Sequence, residues 1–77
     1  MNQVNAAHLE RFDPARNMAR FYRVDVARTL FGEWAVISRW GRIGTHGRSR
    51  EEWVSSIEEA ERVQARQLDR KRRRGYC

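Results

Sequence analysis

The 77-residue chain has one cysteine, one lysine and two histidines. A single cysteine, Cys77, excludes an intramolecular disulfide, and with only His8 and His46 beside it no zinc-ligand spacing exists. Long apolar runs are missing as well. The longest, Trp34 to Ile37, spans four residues, against the roughly 20 that a membrane span requires. No basic segment followed by an apolar stretch opens the chain. These absences predict a soluble, cytoplasmic protein, nucleoid-associated if it binds DNA, with no metal, no cofactor and no membrane partner. Length sets a further limit. A chain this short buries only about 60% of its unfolded surface, which leaves little room for the deep pocket of a self-contained enzyme. One domain over residues 1–77 is expected. Hydrophobic residues at 40%, with three Trp, three Phe and two Tyr, still suffice for a core, and the 34% charged fraction reads as surface rather than disorder.

Acidic residues are absent from one particular stretch. Residues 39–50 hold Arg39, Arg42, Arg48 and Arg50 with no acid, whereas residues 51–68 set five Glu against two Arg. Residues 69–77 are basic again, with Arg70, Lys71, Arg72, Arg73 and Arg74 against Asp69. The net charge of +6 is thus concentrated in two patches separated by an acidic stretch. Local concentrations of this kind attract phosphates without regard to sequence. Two plainer origins stand beside that reading. Cations near a helix C-terminus complement its dipole, and fifteen arginines to one lysine fits a GC-rich coding bias.

Along the chain, residues 1–7 are small and polar and predict a loose start, so the folded core is expected over about 9–76. His8 to Phe12 suits a short strand ended by Asp13-Pro14, a turn signal. Tyr22, Val24 and Val26 alternate with Arg23, Asp25 and Ala27, the period of a half-buried strand. Gly32 marks a hairpin turn within Thr29 to Glu33. Alternation resumes with Trp34, Val36, Ser38 and Trp40 on one side and Ala35, Ile37 and Arg39 on the other. Gly47 to Val54 reads as a further strand, with Arg48 and Arg50 on one face and Ser49, Glu51 and Trp53 on the other. From Ser55 to Arg74 the pattern becomes helical. Ser55 with Glu58 and Ser56 with Glu59 each match a capping box. Ile57, Ala60, Val63 or Gln64, and Leu68 form a thin apolar stripe, and Gly75 suits the position after the helix. The fold class predicted is α+β: a small antiparallel β-sheet packed against one long C-terminal α-helix.

The sharpest local feature is Trp40-Gly41-Arg42-Ile43-Gly44 followed by Gly47, three glycines in seven residues. Backbone without side chains can approach a phosphate and offer N–H groups. An arginine fork matches phosphate oxygens in bidentate fashion. An exposed indole packs on a sugar or base whatever the sequence. The alternative is that Trp40 belongs to the core and Arg42 pairs with a carboxylate to hold the turn.

This motif resembles the WGR domain. The resemblance extends to the Arg20-Phe21-Tyr22 strand, to Ser56-Ile57-Glu58-Glu59-Ala60 opening the helix, and to Lys71 through Gly75-Tyr76 at its end, covering about residues 9–76. WGR modules occur in DNA-damage-dependent poly(ADP-ribose) polymerases and in bacterial proteins, sometimes alone. In the polymerases the module grips DNA near a strand break. The resemblance implies an antiparallel sheet flanked by a helix, with Trp40 packing on the sugar of a terminal nucleotide and Arg42 bridging to DNA and neighbouring domains. The matched residues leave no catalytic domain, so NAD chemistry is not carried over and Arg42 has no partner domain here.

The expected DNA-binding set is therefore Trp40, Gly41, Arg42 and Gly44, joined by Arg39, Arg48 and Arg50 and by Lys71 and Arg73 of the tail. Arg48 and Arg50, two apart on one strand face, can track phosphates alongside Arg39, and each taken alone also reads as solvated surface. Trp34 and Trp53 are assigned to packing, as is Tyr76, which otherwise stacks on nucleic acid. His46 has no nucleophile or orienting acid near it in the motif and is not assigned a catalytic role. Glu51 and Glu52 point to opposite faces of a strand and share no site. No residue is assigned to catalysis. The function expected is a non-enzymatic DNA-binding module recognising duplex ends or strand breaks with little sequence specificity. A protein-protein interaction adaptor on another DNA-processing protein is the alternative, and single-stranded RNA stacked on Trp40 or Tyr76 a third.

Overall fold

Alternation of apolar and polar side chains carries most of the architecture. In the computed structural model, which describes residues 2–77, the chain runs through β1 (Asn2–Asp13), a 3-10 turn (Pro14–Arg16), β2 (Met18–Arg28), β3 (Trp34–Arg42), β4 (Arg48–Val54) and α1 (Ile57–Arg73). The strands form one antiparallel sheet in the order β1-β2-β3-β4. This is the predicted α+β arrangement, a meander with one helix laid across it.

The faces follow from the register. Val24 pairs with Ala7 and Ser38, Val26 with Asn5 and Val36, and Tyr22 with Leu9 and Trp40. These residues lie on the side that α1 covers, and Val24, Val26 and Val36 are fully buried there beneath Ala60, Val63 and Leu68. Burying a valine side chain is worth about 1.5–3 kcal/mol. Polar groups under the helix are satisfied: Gln64 donates from Nε2 to the Val24 carbonyl at 3.0 Å and accepts from Asn5 Nδ2 at 3.0 Å.

Asn5 bears on the first difference from the sequence reading. Residues 2–7 are part of β1 rather than a loose start, paired with the second half of β2 through a bulge between Gln3 and Asn5. Short polar side chains weaken the apolar signal, but the ladder and the Asn5–Gln64 bond hold the segment. Met1 lies outside the described residues. Trp53, assigned to packing, is the second difference. It projects from the face opposite α1, is 47% exposed, and donates from Nε1 to Glu51 at 2.7 Å. Trp34, by contrast, packs against the core.

Of the two capping boxes, Ser56 provides the cap. Its hydroxyl accepts from Glu59 N–H at 3.1 Å. At the other end, Gly75 adopts φ +98, with its N–H bonded to Arg72 O and the Tyr76 N–H to Lys71 O. These two bonds make a Schellman motif. It turns the chain back so that Cys77 pairs with Glu10 through two backbone bonds of 2.9 Å, and Tyr76 is buried in the core as the packing assignment requires.

The β3–β4 loop folds over its own glycines. Gly47 has φ +69, and a Cβ there would collide with the Trp40 carbonyl and lie 3.0 Å from Phe21 Cζ, while a Cβ on Gly41 would meet Gly47 Cα at 2.7 Å. Gly47→Ala is expected to destabilise the domain by more than about 2 kcal/mol, from positive φ and steric overlap together. A shift of under about 0.5 kcal/mol in denaturant unfolding, typical of a surface substitution, would refute this account of the loop.

Candidate functional site

Where β2 begins and β3 ends, Arg20 pairs with Arg42 and Tyr22 with Trp40, all on the helix side of the sheet. The end of α1 closes the third side. The result is a cleft of about 570 Å³ lined by Arg16 and Asn17 from the turn, Met18 and Arg20 from the start of β2, Trp40, Gly41 and Arg42 from β3, and Lys71 and Tyr76 from the helix end. Four cations line it, and no carboxylate does among the described residues. Of these four, Arg16 alone has an ion pair among the described residues, with Asp13 at 3.5 Å.

Trp40 occupies both positions weighed for it. One part of the indole packs against the core and tilts against Tyr22, with ring centroids 6.5 Å apart, while the rest lines the cleft. Arg42 holds the turn differently from the carboxylate pairing considered. Its Nη1 donates to the Asn17 carbonyl at 3.0 Å, tying the end of β3 to the turn before β2. The rest of this exposed guanidinium stays available at the cleft.

Lys71 is the most constrained cation. Its Nζ sits 4.9 Å from the centre of the Tyr22 ring and 5.3 Å from that of Tyr76. Burial first, then the guanidiniums of Arg74, Arg20 and Arg70, hold its ammonium below the usual lysine pKa of 10.5.

The predicted residues therefore separate. Trp40, Gly41, Arg42 and Lys71 meet in the cleft, and Arg48 and Arg50 continue from it on the same face of β4, Arg48 opposite Trp40. Arg39 does not run alongside them. Parity puts it on the other face, where with Gly44, Ile43 and His46 it lines a separate hollow of about 270 Å³ floored by Phe21. Gly44 faces that hollow too, so its backbone does not serve the cleft. Arg73, two residues from Lys71 on the helix, points elsewhere and pairs with Asp69 at 2.8 Å. Sequence reasoning missed Arg16, Asn17, Met18 and Arg20. Arg20 was within reach, since it precedes Tyr22 by two and shares its face. Arg16 and Asn17 lie in the turn, where no periodicity reports.

Lys71 offers a direct check, because it is the single lysine. With a folded pKa below its unfolded value, the folded state binds fewer protons between the two, so stability rises with pH across that window. An anion in the cleft should reverse the shift. Carbon-detected NMR titration of the Lys71 Cε is expected to give a midpoint below that of an unfolded control. Adding inorganic pyrophosphate should move it upward. An unshifted midpoint indifferent to the anion would contradict this picture of the cleft.

Comparison with known proteins follows the same lines. The family model described as WGR domain matches residues 5–77. The chain is similar to the uncharacterized protein y4dW of Sinorhizobium fredii, at 40% identity over 76 residues that cover 99% of this chain. It spans 37% of the length of that relative. No solved structure matches it significantly. With Trp40, Gly41 and Arg42 set at the mouth of a basic cleft and the family model matching nearly the whole chain, this protein belongs to the WGR domain family, a family of nucleic-acid-binding modules.

Proposed function

We propose that this chain is a non-enzymatic module that binds DNA at duplex ends or strand breaks with little sequence specificity. The observation that carries the reading is the convergence of Arg16, Arg20, Arg42 and Lys71 beside the half-buried indole of Trp40, in a cleft that no carboxylate of the described residues lines. Such a cleft rewards charge, and its aromatic wall rewards an exposed sugar or base. A continuous duplex presents charge everywhere but an unstacked nucleotide only at an interruption. Stacking of this kind is worth about 1–3 kcal/mol per base and tolerates any sequence. Phosphate contacts position the nucleic acid without reading it, which accounts for the weak sequence preference.

The test uses fluorescence anisotropy on three duplexes of one sequence: one with open ends, one nicked, and one closed by hairpins at both ends. Open and nicked DNA are expected to bind more tightly than closed DNA. Four phosphate contacts would make log K fall against log salt with a slope near about −3.6, at 0.9 per contact. Trp40→Ala is expected to weaken open and nicked binding about five- to over a hundredfold, the equivalent of 1–3 kcal/mol, and closed binding less. Arg42→Gln serves as a second variant should loss of the indole disturb the core. Equal losses on all three duplexes would remove end recognition.

A second reading, an adaptor docking on a DNA-processing protein, draws on another surface. Leu30 and Phe31 at the β2–β3 turn are 89% and 81% exposed, at the far end of both strands from the cleft. Contiguous exposed apolar surface is a mark of interaction sites. Partner capture that survives nuclease treatment and is lost in a Leu30→Ser, Phe31→Ser variant would favour this reading.

A further inference from the structure

The basic surface does not stop at Trp40. A second hollow of about 180 Å³ shares Trp40 and Lys71 with the cleft and adds Arg50, Gln67 and Arg70. A third, of about 250 Å³, shares Arg50, Gln67 and Arg70 with the second and adds Arg66 and one acid, Glu52. Through these shared residues the three hollows adjoin in succession, and the second and third form a trough between β4 and the C-terminal half of α1.

Apart from Glu52, its charged lining is basic. Arg16, Arg23 and Arg73 each pair with an aspartate. Arg50, Arg66 and Arg70 have no carboxylate within 4.0 Å among the described residues. Arg66 and Arg70 stand at i and i+4 on one helix face, where like charges repel, which works against the favourable effect of the helix dipole on Arg70 in the last turn. The trough floor is also a donor. Oε1 of Gln67 accepts from the Tyr22 hydroxyl at 3.1 Å and the Ser38 hydroxyl at 2.7 Å. Both bonds fall on the oxygen, which leaves the amide N–H groups to the trough. A basic groove that continues from an aromatic side chain suits a single polynucleotide chain, whose phosphates follow the cations while an unpaired base stacks on the ring.

We propose that a single-stranded extension of the DNA leaves the Trp40 cleft along this trough, with its phosphates on Arg50, Arg66 and Arg70 and the Gln67 amide donating to its sugar or base edges. This rests on the cleft being the end-binding site and specifies the substrate further: a break bearing a single-stranded tail, rather than a blunt one.

The test compares a hairpin-closed duplex with one blunt end against the same duplex carrying a short single-stranded tail, 5′ in one arm and 3′ in another. In the wild-type protein one tail polarity is expected to tighten binding and to steepen the salt slope by about 2, from three contacts at 0.7 each. The Arg66→Gln, Arg70→Gln variant alters two exposed side chains outside the cleft, and its fold is checked by thermal unfolding. It is expected to bind the blunt duplex nearly as the wild type does and to lose the gain from the tail. No gain from either tail, or a gain that the variant keeps, would overturn the trough. So would equal displacement of tailed DNA by a polyglutamate peptide at matched charge, which would assign the trough to an acidic protein segment. Failure of the cleft reading has a separate signature: open-ended and fully closed duplexes bound alike.

Discussion

Tyr22 faces Trp40 across the β2–β3 ladder, with ring centroids 6.5 Å apart and planes tilted by 33°. This cross-strand pair sets the register on which both core and cleft depend. With it in place, Val24 meets Ser38, Val26 meets Val36 and Arg20 meets Arg42, all on the helix side. Side chains alternate with a period of two, so a slip of one residue would exchange the faces. The valines would leave the helix, and Trp40, Arg20 and Arg42 would leave Lys71. The hydrophobic pattern that stabilises the sheet therefore also aims the site, and neither can shift without the other.

The helix end completes what the register begins. The Schellman motif at Gly75 buries Tyr76 and leaves Lys71 between two tyrosine rings. Lys71 also faces Arg20 and Arg70, so cation–π attraction is set against burial and like-charge repulsion at one atom. A surface designed only for stability would carry a carboxylate there, as the chain does beside Arg16, Arg23 and Arg73. The uncompensated charge is the clearest electrostatic mark of a surface that meets a polyanion.

Much of the fold was legible in local pattern. The alternations at Tyr22–Ala27 and Trp34–Trp40, the Ser56 cap and the Gly75 terminus all follow from side-chain periodicity and backbone chemistry that act over a few residues. The N-terminal half of β1 was not legible, because Asn2 to Ala7 carry almost no apolar signal and are held by pairing with a strand some twenty residues away. Trp53 was misassigned for a related reason. Parity places it on a definite face, but only the position of the helix decides which face is the core. The three glycines of the loop were legible as a special backbone, whereas their cause, Gly41 and Gly47 pressed against each other and against Trp40, is a contact made by the folded loop.

Sequence by itself determined which side chains share a face of each strand, where the helix begins and ends, and that Trp40-Gly41-Arg42 would stand at a strand end beside basic residues. Each is a consequence of geometry repeated along one segment. Tertiary structure alone decided the membership of the site. It brought Arg16, Asn17 and Arg20 to Trp40, kept Lys71 and turned Arg73 outward, and sent Arg39 and Gly44 to the opposite face. Those outcomes depend on which strands pair, in what register, and over which face the helix lies, and these are set by the packing of the whole core rather than by any one segment.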